Sequence, residues 1–578
     1  MEAPTAQELI WVHPRDDDKL LQSVTKEFNI HPITAQMLIS RGFTSHEQIH
    51  NYLYAKLPQL YDPELFDEME SAVQRIHRAF ENNEKILIYG DNDVDGMSAT
   101  TLLVDFFRRL GASVVYYLPD RSSQFQGMLL DCLDYVKKEN VKLIITVDCG
   151  ITATEEIGIV GRKGIDVIVT DHHEPTKTLP KCSAILNPKL ETTHYPNREI
   201  TGVGVAFKLA HAYLNSLINR GDISSKRINL KSYLDLVALG TVADMGSLLG
   251  ENRILVRYGL RQIGMSKRVG LLKLISIAEV RSRDITPIDI ASKIAPRLNS
   301  LGRIADPKRG VELLLVRDPI EAERLASELD LNNIERQKIE KRDSDDIEKL
   351  IKKRPELTQN KAIILASRKW HPGIIPIITA RLAKQYNRPT ILISIDNGQG
   401  KGSIRTIPEF PLLRYLHEQK DLLLNFGGHD YAAGLTIKEE NIEAFTKGFI
   451  DAANAALLEK DIAPKLYLDA AASFKDITFD LMDSFSLIEP FGTDNPAPIL
   501  YARAKQAWPP KIVGKTHLKL YLEQDGRALE GIGFNMAPLR KELCRKNINL
   551  EIAYTPHVNT FLSKSSIQLI VKAFKVCD

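Results

Sequence analysis

Asp91, Asp93 and Asp95 alternate along DNDVDG, directly behind the apolar run Lys85-Ile-Leu-Ile-Tyr89. A strand ending there delivers three carboxylates to one place, and charge that dense needs a cation. Three more apolar runs close on acid: Leu143-Ile-Ile-Thr-Val147 on Asp148, Val167-Ile-Val-Thr170 on Asp171-His172-His173, and Leu236-Val-Ala-Leu239 shortly before Asp244. In an open parallel sheet the carboxyl ends of the strands line one edge, where ligands bind. Runs that repeatedly end on acid therefore predict a parallel sheet with a single site holding oxygen and imidazole ligands for more than one divalent metal.

Two plainer readings compete. An aspartate after a strand is commonly a turn former or a helix N-cap. DNDVDG also opens like an EF-hand calcium loop, but that pattern wants Glu six residues after its glycine, where this chain has Leu102, and a strand precedes the cluster. Four acidic ends on successive runs favour one shared site. Adjacent side chains on extended backbone point to opposite sides, so His172 and His173 are expected to divide their roles, one ligating and one facing substrate. Carboxylates with imidazole suit Mn²⁺ or Mg²⁺ better than thiolate-seeking zinc.

At 578 residues the chain needs about three domains. Its five cysteines are scattered without a C-x-x-C pair, which argues against a zinc ribbon and a disulfide framework and fits a reducing compartment. No run of about 18 apolar residues occurs and the N-terminus is acidic, so a cytoplasmic protein without membrane contact is expected. The net charge of +2 is uneven: residues 500–578 hold 13 Lys and Arg against 6 Asp and Glu, leaving the rest of the chain at −5. A basic C-terminal module beside an acidic body suits a polyanionic partner.

The expected organisation is α/β and multidomain: an N-terminal helical segment (1–50), a parallel-sheet domain (51–317), a connecting helix (318–355), a second α/β domain (356–458) and a C-terminal all-β domain (459–578). The βαβ rhythm runs from Glu84 to about Val256. The charged stretch after Asp318 carries a thinning apolar stripe, which reads as a long, partly exposed helix. Asp525-Gly526 between two strand-like runs signals a hairpin.

DNDVDG at 91–96, VDCG at 147–150, DHH at 171–173 and LGTVAD at 239–244 together resemble the DHH phosphoesterase superfamily. WHPGIIPIITARL at 370–382, GKGSIRT at 400–406 and GGHDYAAGLTI at 427–437 look like its associated second domain. PRLNSLGR at 296–303 and PFGTDNPAP at 490–498 narrow the likeness to the branch that degrades single-stranded DNA. The resemblance covers about residue 40 to the C-terminus.

It implies a two-metal nuclease in a cleft between two α/β domains, with a C-terminal OB-fold, acting 5′-to-3′ on single-stranded DNA in repair and recombination. By the same resemblance Asp93, Asp95, Asp148, His172 and Asp244 hold metal, with Asp148 and Asp95 bridging. His173 meets the scissile phosphate, and Asp91 and Asp171 orient ligands. Ser403, Arg405, Gly427, Gly428 and His429 hold a strand end, and Arg121, Arg297, Asn299, Arg303 and Arg381 lie on the substrate side. A single-strand-binding protein and a RecQ-type helicase are the implied partners.

The pattern is broken at Asn92, where Tyr is usual, at Pro376, Ile404 and Asp494, where Gly is usual, and in Arg121–Gly127, which lacks an expected Glu and Tyr. Ile404 adds bulk where close backbone approach is wanted. Two other functions stand beside the nuclease: a phosphodiesterase or phosphatase for short oligonucleotides or dinucleotides, which gives the basic C-terminal module no task, and a catalytically silent DNA-binding scaffold, whose signature would be lost metal ligands.

Overall fold

The computed structural model describes residues 9–15, 17–119, 128–543, 548–561 and 564–577. Its first α/β domain is built on five parallel strands in the spatial order Val114–Tyr117, Lys85–Gly90, Val141–Val147, Asp166–Thr170, Ala184–Leu186. The runs are continuously apolar because both faces are covered. Ile86, Ile88, Leu143, Ile145 and Ile168 face one core, with the helices Val94–Arg109, Gly202–Asn219 and Leu234–Ala243. Leu87, Tyr89, Ile144, Val167 and Val169 alternate into a second core with Val136, Ile157 and Val160. Lys85–Gly90 pairs with Val114–Tyr117 on one side and Val141–Val147 on the other, so the chain reverses its direction of travel across the sheet at this strand. DNDVDG follows it, at the switch point where an open α/β sheet forms its crevice.

One expectation is corrected here. Leu236–Leu239 is not a strand but the middle of the helix Leu234–Ala243, which is buried from Leu234 through Val242. A short apolar run buried on all sides has no periodicity to distinguish strand from helix. Asp244 is therefore delivered by a helix C-terminus, and the fifth strand is the three-residue Ala184–Leu186.

The linking helix Pro319–Lys353 has 35 residues, about 52 Å at 1.5 Å per residue. Asp318 caps it, accepting from the amides of Ile320 and Glu321. Beyond it lies a mixed sheet in the order Leu423–His429, Ala432–Lys438, Gln399–Arg405, Thr390–Asp396, Ile363–Ser367, with only the last pair parallel.

The C-terminal barrel runs Leu500–Val513, His517–Gln524, Arg527–Gly533, Lys564–Cys577, Ile548–Phe561 and closes back onto Leu500–Val513. Asp525 (φ 49°) and Gly526 (φ 78°) form the hairpin turn between its second and third strands. The N-terminal helices Asp18–Phe28, Pro32–Ser40 and His46–Leu53 complete this barrel. Val24, Phe28, Met37, Leu38 and Leu53 share one core with Phe474, Leu500, Leu518 and Leu550, and Arg41 pairs with Asp469 at 2.8 Å.

Candidate metal centre and strand cleft

The first motif turns from strand into helix within three residues. Asp93 is the N-cap of Val94–Arg109, its Oδ1 accepting from the amides of Asp95 (2.9 Å) and Gly96 (3.1 Å). The plain N-cap role and a place in the acidic cluster thus coexist in one side chain. Asp95 is 1% exposed and points into the body, accepting from Gly202 N (2.7 Å) and Val203 N (3.0 Å) at the start of Gly202–Asn219. The positive end of that helix favours the carboxylate.

Asp148 is 2% exposed and left-handed (φ 62°). Two glycines make this crowding possible. A Cβ on Gly202 would lie 2.5 Å from Asp148 Oδ1, and one on Gly240 would lie 2.5 Å from Asp95 Oδ1.

Three overlapping groups of donors result, each with ligand atoms within 4.8 Å of one another: Asp148, His172 and His173; Asp95, His172 and Asp244; Asp91, Asp93 and Asp148. Asp148 and His172 each belong to two of them, and of the pair Asp148, with two carboxylate oxygens, can be shared by two cations. Asp95, the other expected bridge, belongs to one, with both oxygens also engaged by backbone amides. Asp91, expected to orient ligands from outside, stands inside a donor group. The two histidines also depart from expectation. Their rings lie 4.6 Å apart on the same side, because the backbone after Thr170 leaves the extended conformation on which alternation depends.

His172 Nε2 lies 3.0 Å from Asp148 Oδ1 and 3.7 Å from Asp244 Oδ2. Asp171 is the organiser: its Oδ1 accepts from His172 N, His173 N and His173 Nδ1 (2.7 Å), and its Oδ2 from Ile151 N.

The electrostatics suit a cation-binding site. Burial, then the neighbouring carboxylates, push Asp91 and Asp244 up to about 7, and Asp95 and Asp148 well above the usual carboxylate range. Burial and the adjacent His173 take His172 down to about 3, leaving it neutral and able to ligate. Burial works against His173, but its bond to Asp171 prevails and raises it to about 9. Asp148 Oδ1 is buried without a hydrogen bond to satisfy it, a cost that a cation would remove. The donors are oxygen and imidazole nitrogen throughout, the set that suits Mn²⁺ or Mg²⁺.

The second domain faces this edge. His429 stacks parallel to His173, with ring centroids 6.3 Å apart and planes 7° apart. Gly428 has φ 143°, and a Cβ there would meet Ala432 O at 2.3 Å, so glycine is required; a Cβ on Gly427 would meet only open space. Ser403 and Arg405 lie two apart on Gln399–Arg405, hence on one face. Arg405 makes no ion pair among the described residues, its one hydrogen bond going to the carbonyl of Ile404, and desolvation lowers its pKa.

Ile404 points the other way, fully buried in the domain core, so its bulk does not reach the face of Ser403 and Arg405. The other departures are accommodated as simply. Pro376 sits in the first turn of Ile375–Tyr386, where a missing N–H costs nothing. Asp494 adopts φ 58°, a conformation Asp tolerates better than most residues. The Asn92 carbonyl packs against Gly302.

The expected substrate arginines divide. Arg297 pairs with Asp330 (2.8 Å) and Arg381 with Glu340 (3.2 Å), both acids on the linking helix, so these two tie their domains to it. Asn299 also has a bracing contact, its Oδ1 accepting from Val94 N at the start of the first-motif helix. Arg303 donates to Gly373 O (2.9 Å) across the domain boundary and lines a cavity of about 570 Å³ with Tyr117, Lys308 and His371. Arg121 lies outside the described residues.

Asn187 and Lys189 escaped the sequence reading. Asn187 is fully buried, donates to His173 O (2.9 Å) and receives Lys189 N (2.8 Å). It follows the fifth strand, and being uncharged it carries no acidic signal; a search for any polar residue at a strand end would have found it.

The DHH family N-terminal domain matches residues 85–241, the DHHA1 domain 359–455 and the RecJ OB domain 468–573. Fold and site together define a metal-dependent phosphoesterase of the DHH class. The single-stranded-DNA-specific exonuclease RecJ of Bacillus subtilis strain 168 is 35% identical over 577 residues, spanning 99% of this chain and 72% of that protein. The likeness thus includes the N-terminal helices, beyond the expected start near residue 40. Crystal structures of Thermus thermophilus RecJ match with TM-scores of 0.84 (complex with Mn²⁺, 26% identity) and 0.76 (complex with Mg²⁺, 25% identity), covering 99% of this chain and 80% and 79% of those. This chain belongs to the RecJ family.

Proposed function

We propose that the cleft hydrolyses phosphodiester bonds of single-stranded DNA from its 5′ end, with two Mn²⁺ or Mg²⁺ ions held by Asp91, Asp93, Asp95, Asp148, His172 and Asp244. The observation that carries the reading is the sharing of Asp148 between two donor groups at the sheet's switch point. When bound, the ions supply charge that ionises a water and offsets the charge growing on the phosphoryl oxygen. Asp171 fixes His173 through Nδ1, which leaves Nε2 of a cationic imidazole to donate to a non-bridging oxygen of the scissile phosphate. Arg405 and Ser403 receive the terminal phosphate, a charge-assisted contact that sets polarity by seating the 5′ end. His429 closes the cleft from the second domain.

The barrel holds the strand further along. Trp508 (59% exposed) and Phe534 (52% exposed) offer faces for base stacking. Lys515 is exposed, whereas Lys519 is paired with Glu530 (2.7 Å) and is a weaker phosphate contact. A single-strand-binding protein and a RecQ-type helicase are proposed partners, and the cytoplasm the proposed location. Among the described residues no helix is long and apolar enough to cross a membrane.

A time course on single-stranded DNA labelled at either end, in Mn²⁺ and in EDTA, tests activity, polarity and metal together. Release of nucleotide first from the 3′ label, or undiminished cleavage in EDTA, overturns the proposal.

A further inference from the structure

Thirteen described non-glycine residues have left-handed backbone, and nine of them are Asn or Asp, which tolerate it. Of the other four, Leu129 is fully buried, while Glu279 and Lys515 are polar. Met245 is the exception: φ 58°, apolar and 71% exposed.

Its backbone setting explains the conformation but not the residue. The amide of Met245 bonds to Val242 O (3.2 Å) and that of Gly246 to Thr241 O (2.9 Å), the paired bonds that end a helix through one left-handed residue, a position glycine normally fills. Here Leu234–Ala243 ends with methionine in that place. The side chain gains little packing in return, since most of it is in solvent. The preceding residue is Asp244, whose carboxylate joins Asp95 and His172 in one donor group. Met245 therefore begins one residue, about 3.8 Å along the chain, from the metal edge.

We infer that Met245 is a substrate-contacting residue of the cleft, kept in a strained position so that its flexible thioether lies against the base or sugar beside the scissile phosphate. Methionine suits this role: it is unbranched and polarisable, and it adapts to surfaces of different shape. The inference rests on the proposed nuclease reading and adds a substrate-positioning contact to it.

The test is Met245→Gly in the full chain, with Met245→Leu as the conservative variant. Relief of the strain raises the melting temperature of Met245→Gly by about 1–3 °C. Loss of the contact raises KM for single-stranded DNA about fivefold, the low end of what a lost base contact costs. Its kcat stays within twofold and its Mn²⁺ affinity is unchanged, while Met245→Leu keeps a KM close to wild type. If Met245→Gly is stabilised and its KM is also that of wild type, Met245 is a helix cap and nothing more, and the inference falls. If Met245→Gly melts lower than wild type, the side chain is packed rather than presented, which also overturns it. Strand affinity measured in EDTA separates this from the nuclease reading: a wild type that binds but does not cleave when Mn²⁺ is restored refutes the nuclease, whereas unchanged affinity in Met245→Gly refutes the contact.

Discussion

Asp148→Asn separates the two things this carboxylate does. With 2% exposure, an unsatisfied Oδ1 and neighbours Asp91, Asp93, Asp95 and Asp244 around it, Asp148 is a burden on the metal-free protein. An amide of the same shape removes one buried charge and the repulsion it feels, so metal-free Asp148→Asn should melt at or above the wild-type temperature. The same change removes a carboxylate common to two groups and so weakens both ions at once. A protein holding a metal at 100 times its Kd gains about 2.7 kcal/mol of stability, and the variant should lose most of that increment. Cleavage should fall by at least about 10³, roughly 4 kcal/mol of transition-state stabilisation. Thermal melts with and without about 1 mM MnCl₂, run beside cleavage of labelled single-stranded DNA, give both readouts. The reasoning is refuted if the variant retains more than about a tenth of the wild-type rate, or if its Mn²⁺-induced rise in melting temperature equals that of wild type.

Arg405→Ala should weaken engagement of 5′-phosphorylated ends by about 1.5–3 kcal/mol, the worth of one charge-assisted contact, and leave 5′-hydroxyl ends nearly unchanged; equal loss on both removes the terminal-phosphate role. Phe534→Ala should lower long-strand affinity by about 1–3 kcal/mol with little effect on a substrate of a few nucleotides, as measured by fluorescence anisotropy and kinetics. Deleting the barrel is not a clean alternative, because Val24, Phe28 and Leu38 of the N-terminal helices would lose their core. Lys208→Met should destabilise the catalytic domain by about 3–5 kcal/mol, since Lys208 Nζ sits 2.5 Å from Glu251 Oε1 with both side chains fully buried and the lone carboxylate would remain; unchanged chemical denaturation would refute this.

The sequence by itself determined the parallel sheet, the linking helix, the second α/β domain, the β-barrel and the chemical character of the site. Those properties are local. Three of the four apolar runs that stop on acid are buried parallel strands ending at the ligand edge, and Asp-Gly between two strand-like runs is a hairpin. The sequence could also show that the donors are oxygen and imidazole. It could not show that Leu236–Leu239 is helical, because burial on every side erases the period that separates helix from strand.

Only the tertiary structure decided which groups converge. His172 and His173 share a side because the chain bends after Thr170, and Asp148 serves two donor groups because Gly202 and Gly240 leave room for carboxylates to crowd. Arg297 and Arg381 look from their motifs like phosphate ligands, yet each faces an acid on the linking helix. Arg405, in a similar-looking motif, faces none among the described residues. Charge type is written in the residue, but whether a charge is spent on a neighbour or left for a ligand depends on what lies within about 4 Å, and residues far apart in the chain set that distance.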